Sequence, residues 1–508
     1  MIERRRVSRP ARRRGIAVIL VLGIMAVTLA LSYALVRSQT QTKLVQDNFT
    51  RQTDARLAAE TGMARAMQEM TTSSWTGIAT PLTGSLNSRT SYTVTYAVGD
   101  SSLTSASSNW SEYPFRVTIT SVGRSTDRDN ASLITSYTVR SVMQLVRKQV
   151  ASQPTAWTSP QNYLVYQYNV GRGPTIQTPF RMEGNVLLRG MLNFAADYPR
   201  GSSPRSRYFG DLYAMRNTSY GDHRPLTGSM TTMSYFMNSE TVQLFQGMGT
   251  TFVDSFSFAT SPPVNHPGNL TTYRLYPGGP TYSIPDLYAN YGTTLTNVTL
   301  QPEMTSNPLG IYRTSGSITL GANTKLTGTL LATNSDVVRI GGSGVQITGY
   351  NLPAINGSTT TRQLPAMLVN GAIACNSGSA SAIKGLVMCY DRFEVSPQTD
   401  RTTMALEGRM ILNDLDVEGM SDWTKTDSWW GTRRNEFMTQ LSGTNPTPYF
   451  PVWLKNNFGV EYASTLTVKP SSSPVTYHWH SSWDQPIYQA SSADGGLRWN
   501  IVSWQEGL

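Results

Sequence analysis

The alternation of apolar and polar residues divides the chain into segments of different period. From Ile16 to Val36 there is no charged residue, and at about 1.5 Å per residue these 21 positions reach roughly 30 Å, the hydrocarbon thickness of a bilayer. From Ile16 to Met70 there is no proline, and the only glycines are Gly23 and Gly62. The pattern therefore predicts one continuous helix of about 55 residues, roughly 80 Å long. Its outer half is amphipathic. Ala55, Ala59, Met63, Ala66 and Met70 recur at spacings of four and three, while Asp54, Arg56, Glu60, Arg65 and Glu69 take the other faces. That stripe is suited to packing on a sheet, with Arg56 and Glu60 paired on the exposed side.

After the helix the period drops to two. Ser91 to Val98, Phe115 to Thr120 and Tyr137 to Val142 alternate as half-buried antiparallel strands, joined by Ser-, Asp-, Asn- and Gly-rich segments. A helix laid on them makes an α+β unit over residues 71–150. Residues 151–165, with Pro154 and Pro160, read as a linker. Beyond them short β-like runs are separated by glycine, from Met182–Gly190 onwards. Ile318-Thr319-Leu320-Gly321 repeats as Val338-Arg339-Ile340-Gly341 at an interval of 20, with further runs at Met367–Gly371 and Ile383–Val387. This predicts a mainly-β body over 166–420, a parallel β-helix or solenoid with glycine at its corners. An irregular β-sandwich is the alternative. Between 197 and 310 the periodicity fades, and the region reads as an insertion over the solenoid flank. Residues 421–508 form a Trp-rich C-terminal region.

Composition changes this picture in two ways. Charged residues are only 15 % of the 508, which suits loop-rich extracytoplasmic architecture better than a helical cytosolic enzyme. Of the net charge of +10, seven arginines and one glutamate in residues 1–15 carry +6. The rest of the chain has only a weak basic bias with no dense patch, which argues against nucleic acid as a partner. The arginines before the apolar run, against Arg37 and Lys43 after it, place the N-terminus in the cytoplasm and the body outside an inner membrane. A removable signal peptide is an alternative, since Ser32-Tyr33-Ala34 offers small residues at a cleavage spacing.

Gly15, set between Arg14 and Ile16 at the start of the apolar run, resembles the class III leader of type IV pilins and type II secretion pseudopilins. Leu57-Ala58-Ala59-Glu60-Thr61-Gly62-Met63-Ala64-Arg65-Ala66 resembles the AAE-x-G-x-x-x-A segment of PilX-like minor pilins and of the largest minor pseudopilin of type II secretion. The resemblance covers about residues 10–150. It implies a leader over 1–15, cleavage by a prepilin peptidase between Gly15 and Ile16, methylation of the new Ile16 terminus, and assembly with other pilin or pseudopilin subunits. Filament-body pilins carry a glutamate at the fifth mature position, where this chain has Leu20. A carboxylate in lipid is retained only for a partner, so its absence points to a minor or tip-type subunit.

Other candidate chemistry is sparse. Cys375 and Cys389 could form a disulfide between neighbouring rungs, or be two buried free thiols. Asp414, Asp416 and Glu418 alternate with Leu415 and Val417, so a strand puts three carboxylates on one face, either as a calcium site or as a solvated surface. Calcium is the one cofactor this suggests. His478-Trp479-His480, with Asp484 close by, has the spacing of two metal ligands on one side of a strand, and equally of a surface strand. Trp423, Trp429, Trp430, Trp479, Trp483, Trp499 and Trp504 suit either polysaccharide contact or an aromatic core closing the solenoid. No phosphate loop, nucleophile elbow or zinc signature is present, and no acid pair stands out for glycoside chemistry. The chain therefore reads as a structural subunit rather than an enzyme. The alternatives are a signal-anchored β-helix that binds or cleaves cell-envelope polysaccharide, as a lyase or glycosidase, and a plain envelope protein without a pilus.

Overall fold

The computed structural model describes residues 14–72, 75–128, 130–146, 163–168, 175–176, 180–182, 186–188, 193–194, 207–208, 212–215, 251–253, 266–353, 361–375, 380–395, 402–417, 432, 436, 457–458, 464–473, 475–477 and 498–507. The chain opens on helix α1, Arg14–Met70, 57 residues without a break. Its C-terminal part lies on an antiparallel sheet of β1 (Leu82–Ser85), β2 (Thr90–Val98), β3 (Arg116–Thr126), β4 (Ile134–Val146) and β5 (Arg498–Glu506), in that spatial order. Ala55, Ala59, Met63, Ala66 and Met70, the stripe the sequence periodicity picks out, are fully buried against the sheet, and Ala58 is buried with them.

Small residues set the distance between helix and sheet. A Cβ on Gly123 of β3 would stand 1.9 Å from the Ala55 carbonyl oxygen and 2.5 Å from the Ala59 nitrogen, both helix backbone. A Cβ on Gly62 would meet Ser121 Oγ at 2.6 Å and the Tyr92 ring at 2.8 Å. The glycine of the AAE-x-G segment therefore serves close approach. Arg51 ties the helix to the β3–β4 connection through Asp127 at 3.0 Å.

Strand β5 lies where sequence periodicity did not place it. The C-terminal Trp499 and Trp504 do not close the solenoid; they sit on a strand that pairs with β4 from Arg498↔Val146 to Glu506↔Val139. An extra residue at Val502 shifts the register between Ile501 and Ser503, which breaks the period-two signal. The Trp499 indole N–H donates to the Met70 carbonyl at the end of α1 (3.0 Å), and its ring meets Trp75 and Tyr276 edge-on. Glu506 accepts from Arg56 at 3.0 Å.

Most of the remaining described strands form one curled, parallel sheet of 21 strands, three strands to a turn. Ile318–Leu320, Lys325–Thr327 and Thr329–Ala332 make one turn, each stacked on the equivalent strand of the next. Ile318 pairs with Val338 and Met367 with Val387, the 20-residue interval seen in the sequence. Inward-pointing residues form aliphatic ladders, for example Leu300, Leu326, Ile347, Ile383, Leu406, Val468. One corner is held by stacked glycines: Gly408 has φ +149° and a Cβ there would lie 2.1 Å from the Gly385 carbonyl. No side chain fits there.

The stacking order is not the chain order. The turns advance from Thr294–Leu295 to Ser464–Lys469, and the next strands on the stack come from earlier in the chain. Val165–Gln167 pairs with Met410 to Leu412, Thr175–Ile176 with Asp416 and Val417, and Phe180–Met182 with Leu466 to Val468. Two arms of one coil therefore meet at this join. The segment 197–310, expected as an insertion, contributes Arg207–Tyr208, Leu212–Met215 and Thr251–Val253 to one arm and Thr294–Leu295 and Thr299–Leu300 to the other. Val165, expected in a linker, is the inward residue of a coil strand.

Of the two readings of the cysteines, buried free thiols are the one present, and one expectation, their placement in the coil, is corrected. Cys375 and Cys389 are free, and they lie in the same turn rather than on neighbouring ones: Cys375 stacks between Ile340 and Val395, Cys389 between Val369 and Leu412. Both are buried, and burial pushes both thiols up, Cys389 to about 12.

On the outside of one face, Leu331, Leu368, Met388, Ile411 and Tyr166 form a second apolar ladder. It shares a buried cluster with Tyr273, Tyr276, Tyr282 and Ile284 from the hairpin Thr272–Arg274/Thr281–Ser283, and with Trp75, Tyr92 and Met70 of the helix–sheet unit. Apolar packing thus runs unbroken from the coil to α1. His266 docks on the same face. Its Nε2–H donates to the Leu368 carbonyl (3.1 Å) and its Nδ1 accepts from the Gly268 N–H (3.1 Å), which fixes a neutral tautomer. Burial lowers its pKa from the ordinary 6.5, outweighing the opposing bond to Leu368. A group whose folded pKa is depressed below its unfolded one binds more protons unfolded. Its contribution is therefore whole above about pH 6.5 and lost as pH falls towards the folded value. Melting temperature should fall between about pH 7.5 and 5.5, with a shallower slope in His266→Gln; equal slopes in scanning calorimetry would refute the assignment.

Candidate assembly surface

The feature that the fold leaves without an intramolecular partner is the first half of α1. Every large apolar side chain from Val18 to Val36 is more than half exposed, Leu20 to 59 %. The exposed series continues beyond the first charges with Leu44, Val45 and Phe49, the last at 71 %. Soluble monomers rarely expose contiguous apolar patches above a few hundred Å², so this surface is built for lipid or for other helices. Among the described residues this is the one helix long and apolar enough to cross a membrane.

Three threonine hydroxyls along it are satisfied internally. Thr28 donates to the Ile24 carbonyl at 2.9 Å, Thr40 to Val36 at 2.8 Å, and Thr42 to Ser38 at 2.9 Å. Such back-bonding lets a threonine enter an apolar medium without an orphaned donor. The seat on the sheet begins where the free surface ends, with Arg51 on Asp127 and then Ala55. Helix α1 is thus divided into an exposed apolar half and a seated half.

Gly15 and Ile16 lie in the first turn of α1. Leu20 is one exposed leucine among its neighbours, with no charged group beside it in the run. The cysteines and acidic residues lie elsewhere, in the coil. Asp414 and Asp416 do share the outward side of a strand, and Glu418 lies outside the described residues. Arg392 reaches Asp416 at 3.3 Å and Glu394 at 3.2 Å, so the acidic face already holds its own cation. Among the described residues no three His, Cys, Asp or Glu gather as a metal site. His478, Trp479, His480, Asp484, Trp423, Trp429, Trp430 and Trp483 lie outside the described residues.

Sequence reasoning missed the residues that set the seat: Gly123, Ser121, Asp127 and the whole of β5. A glycine inside an alternating strand is the signal that could have found Gly123.

No family model matches this chain, and no curated protein matches it. Among solved structures it is similar to the crystal structure of the competence-associated pilin ComZ from Thermus thermophilus, at 11 % identity and a TM-score of 0.23, covering 90 % of this chain and 98 % of that one. A superposition that loose does not establish a shared fold.

Proposed function

We propose that this chain is a membrane-anchored, pilin-like subunit of minor or tip type, carrying a parallel β-helix body outside the membrane. The observation that carries the reading is the division of α1: an uninterrupted apolar half with no partner in the chain, continuous with a half seated on an antiparallel sheet. In lipid the exposed half is at low free energy. Bundled with other helices of its kind it exchanges lipid contact for helix contact, while the seated half holds the body rigidly to the bundle. Burial of some twenty apolar side chains is on the order of tens of kcal/mol, enough to fix the chain in one apolar environment or the other. The role is structural, with prepilin peptidase and other pilin or pseudopilin subunits as partners. Leu20 in place of a glutamate favours an initiating or tip position over the filament body.

The mature N-terminus decides between this reading and its rivals. Intact mass and N-terminal sequencing of protein from cells should give a chain starting at a methylated Ile16. A start at Leu35 would make the segment a removed signal, and an intact Met1 would leave a plain anchor. Gly15→Val should leave full-length precursor in the membrane; normal processing of that variant would sink the cleavage assignment.

A further inference from the structure

The end of the coil that begins with Thr294–Leu295 is closed by a short helix, α2 (Leu287–Tyr291), whose Leu287 is fully buried in the coil interior. Asp286 caps α2, accepting from the Tyr288 and Ala289 N–H groups, and pairs with Arg313 at 2.9 Å. Beside α2 the surface sinks into an open hollow of about 290 Å³, framed by Asn290, Tyr291, Leu300, Gln301, Glu303 and Tyr312. This site is separate from the anchor and does not depend on the anchoring role.

We propose that the hollow binds one residue of a neutral glycan. The hydroxyl of buried Tyr312 donates to the Gln301 carbonyl at 2.7 Å at the base of the hollow, and at the exposed rim Ser306 Oγ donates to Glu303 Oε2 at 2.7 Å. The Asn290 and Gln301 amides and Glu303 Oε1 have no partner among the described residues. Tyr291 is 44 % exposed. Two amides supply donors and acceptors, a carboxylate oxygen accepts, and an aromatic ring offers a face to C–H groups. This is the set that a ring with alternating hydroxyls and apolar C–H edges needs. The size, just below the roughly 300–1,000 Å³ of drug-sized pockets, fits a single sugar ring or chain end. Charge narrows the class further. Glu303 is the one acidic side chain lining the hollow among the described residues, and no lysine or arginine is among that lining, so phosphorylated or acidic sugars are disfavoured.

The test uses the full chain in a detergent without a sugar headgroup, on an array of neutral oligosaccharides built from hexoses and N-acetylhexosamines, with positive glycans then titrated in solution. At least one glycan should bind. Tyr291→Ala and Gln301→Ala should each weaken it at least about tenfold, and Tyr291→Phe, which keeps the ring, should stay within about threefold, all with unchanged melting temperature. A blank array overturns the proposal, as does binding that neither alanine variant weakens.

Discussion

A chain ending at residue 497 should lose the ordered helix–sheet unit while its coil persists. Removing β5 turns β4 into an edge, withdraws the pairing from Val139 to Val146, and takes away the Trp499 ring packed against Trp75 and Tyr276. It also leaves the Met70 carbonyl without the indole donor and Arg56 without Glu506. Several ladder hydrogen bonds at about 1 kcal/mol net each, with a half-buried tryptophan, sum to on the order of 5 kcal/mol or more. That is comparable with the whole stability of a small unit. Amide exchange in β3, β4 and residues 55–70 should become fast, and proteases should cut between residues 71 and 146. Protection equal to that of the full chain would show that the four remaining strands and α1 stand alone. Within the full chain, Trp499→Ala should cost about 2–3 kcal/mol.

Gly123→Val should unseat α1 with the strand otherwise unchanged. The added Cβ meets helix backbone at 1.9 and 2.5 Å, and neither atom has a rotamer to escape into, so the helix must move away from β3. Overpacking of this kind costs about 3 kcal/mol or more, roughly 10–20 °C in the melting temperature of a unit this size. Displacing the helix also opens Ala55, Ala59 and Met63 to water. Ala64→Val, on the exposed side of the same helix, should change stability by less than about 0.5 kcal/mol. Calorimetry on the two variants in the same detergent makes the comparison, and equal melting temperatures would mean that the close approach at Gly123 is not what holds the helix.

Much of this architecture was legible in the sequence, because it rests on local period. Ala55, Ala59, Met63 and Ala66 mark the seated face of α1 by helical spacing, and Ile318 and Val338 mark successive turns by their interval. What stayed hidden depends on contacts between distant segments. The residues of β5 lie more than 350 positions from the strand they pair with, and the bulge at Val502 erases their alternation. Cys375 and Cys389 were expected on neighbouring turns because a count along the chain does not show where the corners fall. Three strands to a turn put them on different faces of one turn. Between 197 and 310 the coil strands are two to four residues long, too short for periodicity to register. The hollow beside α2 collects side chains from α2, the loop over 301–310 and the coil, and no motif announces it.

The join in the coil also fixes an order of events during synthesis. Val165–Gln167 and Phe180–Met182 leave the ribosome long before Thr402–Val417 and Ser464–Lys469, the strands on which they stack. The first arm therefore waits with an open, apolar-backed edge until nearly the whole chain has been made. Long-range parallel pairing of this kind folds slowly and exposes unpaired strand edges meanwhile. Growth of this body is gated by its last quarter, so in the cell its yield should depend on whatever shields that waiting edge.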